Sequence, residues 1–323
     1  MKKLICAVFA IVLCLVICGC GYTASASYPN ADKYSVGSFT YDAAAVQAVE
    51  INWTAGRVEL TESDGAKLSV TETTEGLTPE QQMRWWLDGS TLRIQYWKSG
   101  YTGTLNNKEK RVTVEIPKDI SLNVQVTSGV IQAGNHQVNS LTLKATSGNI
   151  VLGAVNTDSA VLTCTSGSVT VGPLRARNKI EITCTSGEIK VDNAMADTIA
   201  LNTTSGKITA GPLDAAGAMT ASTTSGSMKL DAVKAKSAKA HSTSGDIQLG
   251  IYQCETVDVS CTSGDVTLSV LHGSGATVDF KTNSGTLNGK DAKKSAQQMF
   301  GDGASQVSIS TTSGDVRLME KEQ

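Results

Sequence analysis

Thr146-Ser147-Gly148-Asn149-Ile150-Val151-Leu152 is followed nineteen residues later by Thr165-Ser166-Gly167-Ser168-Val169-Thr170-Val171, and the same frame continues along most of the chain. Gly129, Gly148, Gly167, Gly187, Gly206, Gly226, Gly245, Gly264, Gly285 and Gly314 each close a copy of Thr-Ser-Gly or a near variant. The first nine stand 19 to 21 residues apart and the last gap is 29. A unit this short cannot bury a core alone, so the period is one turn of a solenoid.

Aligned on the glycine, apolar residues recur five before it (Leu143, Leu162, Ile182, Leu201) and two after it (Ile150, Val169, Ile189, Ile208). Alternation on both sides gives two short strands per turn, each with one buried face. The fold class expected is all-β: a single-stranded parallel β-solenoid of about ten 19–20-residue turns. At ~4.8 Å per turn it is a rod of about 50 Å, right-handed by the usual crossover rule. The inward parity changes at the tripeptide, and glycine takes the angles such a bend needs. The serine is expected inside that corner and the threonine outside it.

Met1-Lys2-Lys3 and the apolar run from Leu4 to Cys18 read as a signal peptide, residues 1–19. Ile17-Cys18-Gly19-Cys20 resembles a lipobox, with Cys20 the lipidation site; cleavage after Ala24-Ser25-Ala26 is the secreted alternative. Residues 20–40 are then a lipid anchor and flexible tether. Residues 41–117 are expected to form an irregular β cap holding all four tryptophans, with Thr54 to Leu60 as a degenerate first turn. The solenoid covers 118–319, with an excursion at 290–303 containing a short helix near Ala292 to Met299. The tail 320–323 is charged, a means of blocking end-to-end stacking.

Val49-Glu50-Ile51 leading into Gly56-Arg57-Val58-Glu59-Leu60, Val112-Thr113-Val114-Glu115-Ile116-Pro117, the Thr-Ser-Gly array and the closing Thr312-Ser313-Gly314-Asp315-Val316 resemble the bacterial putative-adhesin family, domain of unknown function 4097. The resemblance runs from about Val46 to Met319. It implies an exported or surface β-solenoid and supplies no catalytic residues.

The residues themselves offer little chemistry. With 28 Lys and Arg against 30 Asp and Glu, the net charge of −2 points away from nucleic acid. Neither a cofactor motif nor a nucleophile motif is present. Cys164, Cys184 and Cys261 stand three before their glycines and read as small core residues; Cys164 with Cys184, or Cys254 with Cys261, could instead be bridged. Asp246 and Asp265 stack on adjacent turns, where solvation or a cation would have to relieve their repulsion; no other metal site is expected. Trp85, Trp86, Trp97 and Tyr101 are sugar-stacking candidates or cap core. Lys234, Lys236 and Lys239 form a basic stretch suited to anionic polymers or to a solvated edge. These features point to a non-enzymatic, membrane-anchored extracytoplasmic scaffold or adhesin. Its expected partners are the membrane through the lipid, and an envelope polymer, a glycan or a surface protein bound along its side or cap. An envelope-stress component bound to a membrane partner and a polysaccharide-active enzyme are the alternatives.

Overall fold

A computed structural model describes residues 27–105, 109–271, 273–291 and 295–321. The predicted signal peptide and Cys20 lie outside the described residues. Each solenoid turn lies over the equivalent segment of the next in parallel register: Leu143 opposite Leu162, Leu162 opposite Ile182, Ile182 opposite Leu201. The inward columns are buried apart from Leu287, which is half-buried, and at ~1.5–3 kcal/mol per fully buried aliphatic side chain they supply most of the cohesion between turns.

Each turn has three short segments rather than the two read from the sequence. Between Gly167 and Gly187, Val169 and Val171, then Leu174 and Ala176, then Ile180, Ile182 and Cys184 point inward. The added segment follows a second corner at Gly172-Pro173. At the third corner, Thr157 and Ser159 face Ala176 and Lys179, and Ala196 and Thr198 face Ala215 and Ala218. The 20-residue turns therefore place their extra residue at a wet corner, and the inward columns stay aligned.

The repeat glycine is required by stacking as well as by its angles. A Cβ at any glycine of this column, from Gly129 to Gly314, would stand 1.7 to 2.6 Å from the carbonyl oxygen of the glycine beneath it. That oxygen accepts from the side chain three before the next glycine: Gly148 from the Cys164 thiol (3.2 Å), Gly187 from Thr203 (3.4 Å), Gly206 from Thr223 (3.4 Å) and Gly245 from Cys261 (3.5 Å). Cys164, Thr203, Thr223 and Cys261 at this inward position are thus donors for a carbonyl the ladder leaves over, not only small fillers; the Ser242 hydroxyl, buried at the same position, has no partner among the described residues. The serine of the tripeptide is exposed in every turn, contrary to its expected place inside the corner. The inward donor two positions before that serine takes the role.

Both ends depart from sequence order. Ala48–Glu62, which contains Gly56, pairs on one side with Ser121–Ala133 and on the other with Thr91–Gln95 and Arg111–Ile116. The degenerate first turn is therefore the second layer of the rod. Lys67–Glu72 and Arg84–Asp88 then cover the outermost layer in antiparallel fashion. At the far end Ser305–Ser313 lies between Ile247–Ser263 and Ala276–Ser284, parallel to both, and Ser295–Phe300 covers Ala276–Ser284 antiparallel.

Three expectations are corrected here. Residues 28–40 are not tether: Tyr28 donates to the Trp97 carbonyl (2.8 Å), and Phe39–Asp42 pairs with Lys67–Glu72. Ser295–Phe300 is a strand rather than part of a helix, because an open sheet edge is there to be paired; residues 292–294 lie outside the described residues. The last turn in sequence is the penultimate layer in space, so Glu320 and Lys321 sit opposite Val270 and Leu271 and do not guard the rod's end. The antiparallel strands do that.

Candidate cap recess

The cap owes its bulk to a chain of rings. Trp53 meets Tyr96 edge-on at 4.9 Å, Tyr96 meets Trp97 at 4.8 Å, and Trp97 meets Tyr101 at 5.1 Å. Behind them lies Lys110, fully buried, its ammonium 2.8 Å from Glu72 and bonded to the carbonyls of Gln81 and Tyr96. It sits 5.1 Å from the Trp53 ring centre and 4.4 Å from that of Tyr96. Burial pulls this ammonium down to about 8, against the opposing pull of Glu72. Lys110 stands in the glycine column, its carbonyl beneath Gly56. As the outermost position it needs no clearance for a further turn. In sequence it reads only as one more charge in Glu109-Lys110-Arg111.

A recess of about 130 Å³ opens beside these rings. Trp97, Tyr28, Trp53 and Tyr96 wall it. Gln95, Asn52 and Gln125, in register on three successive layers, form an amide ladder along it, with Thr54 and Thr127 at the rim. No lining residue is charged. Glu50 beside Asn52 is held by Arg93, which also binds Asp88 at 3.0 Å. The indole N–H of Trp97 is buried and has no hydrogen-bond partner among the described residues. Burial drives the Tyr28 phenol up to about 12, so it stays a neutral donor.

The other candidates are dispersed. Tyr101 lies behind Trp97. Trp85 stacks on Phe39 at 3.9 Å, and Trp86 packs on Tyr34 under Lys33, away from the recess. Lys234 pairs with Asp214 at 3.3 Å, and Lys239 stands opposite Asp258, so the basic stretch is partly neutralised. Lys236 is exposed.

Asp246 and Asp265 each hold a backbone amide of the neighbouring turn. Asp246 Oδ1 accepts the N–H of Asp265 (2.9 Å), Asp265 Oδ1 that of Asp315 (2.9 Å), and Asp315 Oδ1 both the N–H and the hydroxyl of Thr286 (2.8 Å each). Asn149 does the same for Ser168. Each carboxylate satisfies the amide next to the glycine corner of the following turn. Among the described residues no group of three or more His, Cys, Asp or Glu is placed to hold a metal ion.

Cys164, Cys184, Cys254 and Cys261 are buried and unbridged. Cys164 and Cys184 are direct register partners; the hydrogen bond Cys184 donates to Cys164, and then burial, push the Cys184 thiol up. Burial drives Cys254 up to about 11. All four are buried core thiols.

Stacked turns, glycine column and covered ends define a parallel β-solenoid closed at both extremities. The chain belongs to the Toastrack DUF4097 family, which it matches over residues 46–248 and 178–319. Among solved structures it is similar to an adhesin, termed putative, from Bacteroides fragilis (15% identity, 88% of this chain and 97% of that one, TM-score 0.35). A second such adhesin, from Parabacteroides distasonis, is similar at 14% identity over 89% of this chain and 97% of its own (TM-score 0.42). A Parabacteroides distasonis protein described as a putative lipid binding protein is similar at 19% identity over 87% and 96% (TM-score 0.37). No curated protein matches the chain.

Proposed function

We propose that this chain is a non-enzymatic, extracytoplasmic binding module of adhesin type, held to the membrane by a lipid on Cys20, that engages an envelope polymer at its cap. The observation that supports this is the uncharged, aromatic-walled recess with its ladder of three amides. Along the flanks, the Asp246, Asp265 and Asp315 carboxylates are bound to the neighbouring backbone, and Lys234 is paired. Anchorage restricts the reach: from Cys20 to Tyr28 the chain spans at most about 28 Å. The recess would then meet polymers close to the membrane of the producing cell rather than distant surfaces.

The test is binding of the full chain to isolated envelope. Asn52→Ala with Gln125→Ala should weaken saturable binding by about 10-fold, as loss of central polar contacts does. Lys236→Ala with Lys239→Ala should leave it within about 2-fold, as for rim charges. The opposite pattern would move the site to the flank and refute the cap assignment.

A further inference from the structure

We infer that the cap recess takes one neutral hexopyranose ring of a glycan. This rests on the cap being the binding end and adds the class of ligand. Size sets the first limit: about 130 Å³ is well below the ~300 Å³ at which drug-sized sites begin, so the recess admits one ring and not a nucleotide. Charge sets the second. An anion would meet no cationic side chain on the lining. A cation is disfavoured because the Lys110 ammonium already lies against the Trp53 and Tyr96 rings, where a second positive charge would be repelled. An acyl chain would strip water from Gln95, Asn52 and Gln125 and give nothing back, at about 1–3 kcal/mol for each unpaired group.

A pyranose satisfies what the others leave unmet. Its hydroxyls both donate and accept, matching the Gln125 amide and what remains of the other two after Asn52 donates to Glu50 (3.5 Å) and Gln95 bonds Tyr34. The axial C–H face of the ring, slightly positive, suits the negative face of a phenol, and half-buried Tyr28 is the ring that offers one, since Trp53, Tyr96 and Trp97 are buried. One ring with a few hydrogen bonds supports a Kd of about 1–10 mM, so avidity along a repeating glycan would have to supply useful retention.

All four tryptophans lie in the cap, and Trp53 and Trp97 line the recess, so intrinsic fluorescence reports occupancy. The full chain would be titrated with glucose, galactose, mannose and N-acetylglucosamine to about 100 mM, far enough above the expected Kd to saturate. Support would be a saturable change with at least one sugar, weakened about 10-fold by Gln125→Ala and by Asn52→Ala and unchanged by Lys239→Ala. Circular dichroism of the variants checks the fold. No saturable change with any sugar, or one indifferent to both recess variants, overturns the assignment. If the same variants nevertheless abolish envelope binding, the cap remains the binding end and only the hexose is wrong; if they leave envelope binding intact, both fall.

Discussion

The two ends of the rod close in the same way and are filled differently. At each, a turn distant in sequence slides into the penultimate layer, and antiparallel strands cover the outermost one: Lys67–Glu72 and Arg84–Asp88 at the start, Ser295–Phe300 at the finish. The start is packed with aromatic rings around a buried ion pair, whereas the finish relies on Phe280, aliphatics and a ladder of aspartates. Closure is thus a matter of topology, since any parallel stack must hide its edges. The aromatic filling exceeds what closure needs, because the far end is closed without it. That surplus walls the cap recess.

Deleting residues 305–323 should have the largest effect. It leaves Ile247–Ser263 and Ala276–Ser284 facing each other across an empty strand position, each with an unpaired edge. Hydrogen exchange should show 276–300 and the turn beneath losing protection, while tryptophan fluorescence, confined to the cap, stays native. Loss of the cap signal as well would mean that the two ends fold as one unit and not as separable neighbours. Next in size is Lys110→Met, which strands Glu72 in the cap interior and should cost about 3–5 kcal/mol in denaturant midpoints followed by fluorescence. Adding Glu72→Leu should recover much of it; no recovery would show that Lys110 acts through packing alone.

Gly56→Ala and Gly314→Ala compare the ends at one shared position. A Cβ would sit 2.1 Å from the Lys110 carbonyl oxygen in the first and 2.1 Å from that of Gly264 in the second. Backbone meets backbone in both, so each should cost about 2–4 kcal/mol. Gly134→Ala, with nothing within 4 Å of its Cβ, should stay within about 0.5 kcal/mol. If only Gly314→Ala is costly, the cap can shift where the solenoid cannot.

Most of the solenoid was legible because each constraint repeats about ten times: a column of Ile and Val two after the glycine can mean little but an inward face. The third segment escaped notice, since its inward residues, Leu174 and Ala176 in one turn and Ala194 and Ala196 in the next, are often only alanine beside a corner of varying length. The order of layers at the ends was not legible at all. A degenerate turn at Gly56 reads the same whether it lies outermost or second; only the pairing of Arg111–Ile116 decides. The recess was half visible. Trp97 stood out as an aromatic, but Gln95, Asn52 and Gln125 come from three separate strands and meet only through register.

The smallest expected effect concerns acid. Bonds from the Thr286 hydroxyl and N–H hold the Asp315 carboxyl below its ordinary range. A carboxylate whose pKa is lower folded than unfolded contributes stability above the unfolded value and loses it as pH falls through the folded one, so the loss falls below about pH 4. The group is exposed, and the effect is accordingly local: protection factors at 284–287 and 305–318 should drop as pH falls below about 4 before those at 58–60 and 112–114. Asp315→Asn sharpens the point, because Asn149 already accepts the same bond from Ser168 in the middle of the rod. An amide there keeps the acceptor and removes the titration, so the C-terminal turns should stay protected in acid. If they open with Asn at 315 as readily as with Asp, the ladder is not what acid releases, and the two ends differ only in their cores.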